Sequence, residues 1–268
     1  MLVKERPEVG NRQAEGTLTK TALDFTMSGM PDQSLSQTGH RVERMFSSIV
    51  PWYDFLNRSL SLGQDIVWRR ELVAGLQLPP APLVLDLAAG TLDVALELVR
   101  QFPRAQVVAG DFSLPMLQRG REKLAHRRES RIHPVVADAY ALPFQPHTFD
   151  ALTIAFGVRN LPDHAAALQE MHRVLKPGGM LAVLEFVPPT GAGLTKVYEL
   201  YLTRLLPLIG RLLSRHAFAY RYLAESILHF PPAPAFAQRL GAAGWQNVHW
   251  QCLTCGIVGI FYGTRSSA

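Results

Sequence analysis

A chain of 268 residues that is 48% hydrophobic and 18% charged has the composition of a globular protein able to bury a large core. It has no apolar run long enough to span a bilayer, and two cysteines, Cys252 and Cys255, are too few for a disulfide framework. Glu5, Glu8 and Glu15 argue against an acid-poor transit peptide, so the expected location is cytoplasmic, and a net charge of +5 is explained by solubility before nucleic acid or an anionic membrane.

Residues 1–39 mix Gly, Ser, Thr, Gln and charge without periodicity and read as a disordered or weakly ordered tail ahead of a single domain over 40–268. From His40 helical spacing begins with Val42, Met45, Phe46 and Ile49, and an aromatic run follows through Trp52, Tyr53, Phe55 and Leu56. The helical segment 40–78 is either a pair packed on the domain edge or a lid, with Tyr53, Asp54 and Asn57 as polar groups in an apolar setting.

Beyond Pro79-Pro80-Ala81-Pro82, element types alternate. Strands are expected over Leu83–Leu87, Gln106–Gly110, Val135–Ala137, Phe149–Phe156 and Met180–Phe186, and helices over Val94–Gln101, Leu114–Ala125 and Ala165–Leu175. This rhythm predicts a doubly wound parallel sheet with right-handed crossovers. A helix over Ala233–Ala243 and two strands, Trp245–Leu253 and Ile257–Gly263, close the chain and supply an antiparallel last strand.

The first strand runs into Ala88-Ala89-Gly90-Thr91-Leu92-Asp93, a small-residue turn opening a helix, where free N–H groups meet an anionic or polar ligand. Asp111 closes the second strand, where a carboxylate can accept both hydroxyls of a ribose or cap the following helix; the ribose is favoured because Asp138 closes the third strand in the same way. A dinucleotide would want further glycines for its pyrophosphate. S-adenosylmethionine, with ribose and base but no phosphate, fits better.

Leu175-Lys176-Pro177-Gly178-Gly179-Met180 reads as a helix stopped by an αL turn leading directly into a strand, and with Asp138-Ala139, Leu142-Pro143-Phe144 and Thr148-Phe149-Asp150 it resembles the Rossmann-like class I methyltransferases. That class implies a seven-stranded sheet. Four stretches narrow the likeness: Val50–Asn57 with Ser61-Leu62-Gly63 and Trp68-Arg69-Arg70, Ala155–Leu161, Leu184-Glu185-Phe186, and Tyr220–Ile227. They resemble the ubiquinone/menaquinone biosynthesis C-methyltransferases, over about Val42 to Arg265.

The resemblance implies methyl transfer from S-adenosylmethionine to a ring carbon of a prenylated quinol, such as demethylmenaquinol. It places Gly90, Thr91, Asp111, Asp138, Ala139 and Ala155 at the cofactor, Ala155 standing where the family often has Ser. Tyr53, Asn57, Tyr222 and Ser226 fall on the substrate side. An aromatic carbon is a poor nucleophile until the neighbouring hydroxyl loses its proton, and an Arg lowers a phenol's pKa while an Asn or Tyr hydrogen-bonds the oxyanion. Arg159, Asn160 and Tyr53 suit those roles, and no histidine stands in a matched motif. The family's turn is Gly-Thr-Gly-Asp, whereas this chain has Leu92 at the third position: either its side chain points away from the cofactor with helical angles, or it crowds the site.

The segment 194–230 places apolar residues on one face with Lys196, Arg204, Arg211 and Arg215 at the edges, suited to packing on the sheet, a homodimer or peripheral contact with a membrane. His249 with Cys252 and Cys255 lacks a fourth ligand, and no metal is expected. A non-catalytic S-adenosylmethionine-binding or scaffold protein remains an alternative, as does a methyltransferase for another substrate. No basic stripe with interleaved aromatics points to nucleic acid.

Overall fold

The apolar run Leu83–Leu87 is β1, the strand from which the sheet builds outward on both sides, in a computed structural model of the chain that describes residues 58–59, 61–189, 198, 200–205 and 217–267. Helix α1 (Gln64–Ala74) precedes it, and α2 (Asp93–Gln101), β2 (Gln106–Asp111), α3 (Leu114–Arg127), β3 (Ile132–Val136), β4 (Phe149–Ala155), α4 (His164–Val174) and β5 (Leu175–Phe186) follow in alternation. Then come α5 (Ala217–His229), α6 (Ala233–Ala242), β6 (Gln246–Leu253) and β7 (Val258–Thr264). Tyr53, Asn57, the tail over 1–39 and the part of the expected lid over 40–57 lie outside the described residues.

The strands form one seven-stranded sheet in the order β3-β2-β1-β4-β5-β7-β6. β1 to β5 pair in parallel, and β7 runs antiparallel to both its neighbours. This is the doubly wound, mostly parallel sheet with a reversed last strand that the alternation implies. Because successive side chains on a strand face opposite ways, Val84 joins a core beneath α1, α2 and α3, while Leu85 and Leu87 join a second core beneath α4 and α6. Asp86 shares a face with Val84.

Helix α1 buries Asp65, Trp68, Arg69, Leu72 and Val73, which fall at i, i+3, i+4, i+7 and i+8. Its inward stripe therefore carries an ion pair, Asp65 with Arg69, among apolar neighbours. The Tyr262 hydroxyl donates to the carbonyls of Glu71 (3.1 Å) and Leu72 (3.0 Å), and Trp68 Nε1 donates to Thr254 Oγ1 at 2.8 Å. Helix α1 is thereby fastened to β7 and to the turn before it.

Two expectations need correction. Helix α4 is not ended by the Gly pair: Leu175 is already extended (φ −75°, ψ 146°) and pairs with Phe149, so the strand begins before Lys176-Pro177-Gly178-Gly179. The glycines serve an irregularity within β5. Gly178 has φ +75°, and a Cβ on Gly179 would lie 2.8 Å from the Lys176 carbonyl and 3.2 Å from that of Asp150. Strand β3 starts at Ile132 rather than Val135 and stops before Ala137; it tolerates Pro134 because it is an edge strand.

In the segment before α6, Tyr201–Leu205 forms a π-helical turn, and Tyr198, Leu202, Tyr220, Ala224 and Ile227 make a buried cluster. These apolar residues are covered by the protein itself. The basic residues Lys196, Arg211 and Arg215 lie outside the described residues.

Candidate active site

The chain leaves β1, crosses outward to β2 and β3, then returns to the other side of β1 as β4, so the topological switch point lies between the carboxyl ends of β1 and β4. Both exits take left-handed backbone angles at non-glycine residues, Ala88 (φ 53°) and Phe156 (φ 56°), a costly conformation that a surrounding structure must hold. Gly157 is required there, since a Cβ on it would meet the Ala88 Cβ at 2.6 Å. Positive φ recurs at Gly90 (53°) and Leu92 (71°), so left-handed residues alternate along the turn into α2. Such alternation gathers successive N–H groups into a concave cradle for negative charge, at the positive end of a helix.

A pocket opens here, lined by Arg69 from α1, Asp86 from β1, the turn from Ala88 to Thr91, Asp93 and Val94 of α2, and Ala155 and Phe156 after β4. Gly90, Thr91 and Ala155 are thus brought together as expected. Asp111 reaches the same turn from β2: its Oδ2 accepts the Gly90 N–H and its Oδ1 the Ser113 N–H, both at 2.7 Å. Burial raises its pKa, and the two N–H bonds oppose that. Asp138 stands one strand further out, where its Oδ1 accepts the Tyr140 N–H at 2.9 Å, with Ala139 beside it. Thr91 is buried, and Lys123 of α3 donates to its hydroxyl (2.9 Å) and to Asp93 Oδ1 (2.8 Å). Burial alone would raise Asp93, but Arg69 and Lys123 outweigh it and hold the carboxyl below its ordinary range.

Leu92 takes left-handed rather than helical angles as the residue capping α2, yet its side chain leaves the pocket. It is fully buried against α3, in space that only Gly120 can leave: a Cβ there would lie 2.7 Å from Leu92 Cδ1.

Asp86 has no assigned part in the reading from sequence, yet it is the most perturbed acid of the pocket. Burial pushes its carboxyl up to about 7, against the Thr153 hydroxyl, which donates to Oδ1 at 2.7 Å, and a smaller pull from Arg69. Its Oδ2 is buried with no hydrogen-bond partner among the described residues. The available signal was a charged residue inside an otherwise apolar parallel strand, which burial statistics mark as exceptional. Arg69 was equally hidden.

Beyond Phe156 the chain makes a single 3-10 turn, Val158–Asn160. Arg159 Nη1 donates to the Phe156 carbonyl and to Glu185 Oε1, both at 2.6 Å, and Asn160 Nδ2 donates to the same carbonyl at 3.3 Å. Tyr222 of α5 donates its hydroxyl to Asn160 Oδ1 at 3.1 Å. Arg159 is not the exposed salt bridge that a loop position suggests; its side chain is 7% exposed and that of Glu185 is fully buried. Ser226, one turn beyond Tyr222, donates to the Leu223 carbonyl of its own helix. Arg159, Asn160 and Tyr222 are therefore assembled, and Phe156 joins them to the pocket.

The ubiE/COQ5 methyltransferase family model matches residues 34–265. The chain belongs to that family. A demethylmenaquinone methyltransferase of Thermus thermophilus is 49% identical over 222 residues, 82% of this chain and 100% of the relative. The ubiquinone/menaquinone biosynthesis C-methyltransferase UbiE of Geobacter sulfurreducens is 43% identical over 233 residues, covering 86% of this chain and 91% of that one. Among solved structures, the [4+2]-cyclase SpnF superposes with a TM-score of 0.65 at 19% identity, over 90% of this chain and 100% of its own. A SAM-dependent methyltransferase from Aquifex aeolicus gives 0.54 at 15% identity, over 74% and 89%. At such identities the likeness is one of fold, the Rossmann-like fold of class I methyltransferases.

Proposed function

We propose that the protein transfers the methyl group of S-adenosylmethionine to a ring carbon of a prenylated quinol, demethylmenaquinol before a ubiquinone precursor. The observation that carries this reading is the double role of Phe156. It walls the pocket, and its carbonyl holds both Arg159 and Asn160, so a methyl donor in the pocket and an oxyanion at the Arg-Asn pair lie on two sides of one residue.

The cofactor supplies an electrophilic sulfonium methyl, and its departure leaves S-adenosylhomocysteine. The residues present fit its amino-acid end: Asp86 Oδ2, without a hydrogen-bond partner among the described residues, suits an ammonium, and Arg69 with the cradle of N–H groups suits a carboxylate. In this reading Asp111 takes the ribose and Asp138 with Ala139 the base. On the acceptor side Arg159 and Asn160 stabilise the oxyanion formed when the quinol hydroxyl loses its proton, Tyr222 orients Asn160, and Tyr53, Asn57 and Ser226 complete the substrate side. The phenolate then directs electron density to the neighbouring carbon, which would form the new C–C bond to the methyl as its C–S bond breaks, the protons of the hydroxyl and of that ring carbon passing to water.

Leu92 no longer favours a non-catalytic binder, because its side chain is packed away from the pocket. A prenyl tail must leave a bilayer, so peripheral membrane contact through the basic segment 194–218 belongs to the same reading, with a homodimer as the alternative. No helix among the described residues is long and apolar enough to cross a membrane.

The deciding experiment is incubation with isotope-labelled S-adenosylmethionine and demethylmenaquinol in detergent, followed by mass analysis of the quinone. Binding without transfer overturns the enzyme reading. Asp86 adds a pH signature. A carboxyl raised by burial contributes stability that is present below its unfolded pKa of about 4 and lost as pH rises through about 7. Its ionised form is the one an ammonium pairs with. Cofactor affinity measured by calorimetry is therefore expected to rise as pH climbs through about 7, and Asp86→Asn should flatten that rise and weaken binding at pH 8 by about 10- to 100-fold, the worth of one charged hydrogen bond.

A further inference from the structure

Glu185 is buried at the carboxyl end of β5, beside β4, and the reading above gives it no part. Its Oε1 accepts Arg159 Nη1 at 2.6 Å and the Phe186 N–H at 2.9 Å, and its Oε2 accepts the Arg159 backbone N–H at 3.1 Å. One carboxylate thus grips Arg159 at both ends, main chain and guanidinium. The Phe186 ring lies 5.8 Å from the guanidinium carbon, which fixes the plane further. The remaining guanidinium donors are Nη2 and Nε, of which Nε is buried with no hydrogen-bond partner among the described residues.

A lone cation beside a phenol lowers its pKa by about 1 to 3 units. A cation whose charge is offset at hydrogen-bond distance does far less, and acts chiefly through the direction of its N–H bonds. The distinction matters for a carbon nucleophile, because a phenolate made too comfortable is less basic and pushes less electron density onto its ring.

We propose that Glu185 is a positioning residue for Arg159, holding the guanidinium and offsetting its charge so that the substrate oxyanion meets a directed guanidinium N–H donor rather than a net positive charge. The proposal rests on the quinol reading for its substrate, but the juxtaposition of Glu185, Arg159 and Asn160 stands without it. The other titratable groups that face the pair are Tyr198, ahead of the π-helical turn, and Tyr222 of α5, each of which senses Arg159 and Glu185 with opposite sign; burial raises both phenols, so both stay neutral and leave the pair's balance intact. Arg69 lies on the other side, over the Phe156 ring at 5.8 Å.

The test is the ionisation of a bound phenol, read without turnover. 1-Naphthol is titrated by absorbance in the full-length protein with S-adenosylhomocysteine present, and the acid limb of kcat for demethylmenaquinol is recorded beside it. In Glu185→Gln, Arg159 keeps its place but loses its counter-charge, and the bound naphthol's pKa is expected to fall by about 1 to 3 units. The acid limb should move down with it while the plateau of kcat drops at least about tenfold, since a less basic phenolate pushes less electron density onto its ring carbon. Glu185→Asp keeps the charge and shortens the reach, and should leave the naphthol pKa near the wild-type value while lowering kcat. A merely structural glutamate would lower thermal stability in both variants and move neither pKa, which would overturn the proposal; so would a kcat in Glu185→Gln that loses its acid limb altogether, since that marks a proton acceptor. If Glu185→Gln does not fold, the Asp variant decides, because an unaltered kcat there overturns the positioning role. Should the wild type transfer no methyl, the quinol reading fails while the naphthol titration still judges Glu185.

Discussion

Arg159→Ala is expected to lower kcat/KM for quinol methylation by about 100- to 1,000-fold, the usual loss when one donor to a developing oxyanion is removed. Affinity for S-adenosylmethionine should be unchanged, because Arg159 meets the donor pocket only through the Phe156 carbonyl. The variant also carries a cost in stability. It strands Glu185, fully buried, without its counter-ion, and breaking a buried pair on one side costs about 3 to 5 kcal/mol. The double variant Arg159→Ala/Glu185→Ala should recover much of that loss in chemical denaturation, yet recover none of the turnover. If cofactor affinity collapses with Arg159, the arginine belongs to the donor side and the division of the site drawn here is wrong.

The second large effect is expected far from any ligand. Gly120 lies inside α3, where Gly→Ala would ordinarily stabilise a helix by about 1 kcal/mol. Here the new methyl would press on Leu92, and Gly120→Ala should destabilise the protein by about 1 to 3 kcal/mol, as overpacking does. Leu92→Gly relieves a left-handed backbone worth about 1 to 2 kcal/mol but opens a cavity worth about 2 to 5, a net loss. Combined, the added methyl occupies part of the space the leucine vacates, so the double variant should be more stable than the sum of the singles by about 1 kcal/mol or more. Strict additivity in a denaturation cycle would show that the two residues do not share this space. In every one of these variants that folds, cofactor affinity should stay close to wild type, since neither residue lines the pocket.

Much of the sheet was legible because parallel strands buried on both faces are written as short apolar runs, and Leu83–Leu87 and Phe149–Ala155 are such runs. The place of Asp111 was legible for a related reason, since a carboxylate ending an apolar strand lies at the carboxyl edge of the sheet, whereas Asp138 falls two residues beyond β3. Asp86 was not, because it sits within the run, where a strand reading absorbs it. Arg69 was hidden in a stripe whose spacing is helical but whose residues include an ion pair, so a search for apolar periodicity passes over it. The Lys-Pro-Gly-Gly segment was assigned to the wrong element, since a glycine that ends a helix and one that bends a strand look alike in sequence. Glu185 was visible only as part of a motif; that its carboxylate neutralises Arg159 depends on the pairing of β4 with β5, which no local pattern encodes.

The fastening of α1 to the last strand has a consequence for synthesis. The wall that Arg69 contributes to the pocket is held through Trp68 by Thr254, 186 residues away along the chain, and by the Tyr262 hydroxyl on the end of the same helix. A chain emerging from the ribosome can pair β1 with β2 and β4 and lay α1 against α2 and β5, where Trp68 meets Phe186, but the anchors from Thr254 and Tyr262 form only once β7 has paired with β5. Contacts of such separation close late, because their loop entropy is met only when the rest is in place. The pocket wall is therefore expected to be fully fixed only when β7 is in place, so that S-adenosylmethionine, by mass action, stabilises a chain that carries β7 more than one cut short of Thr254.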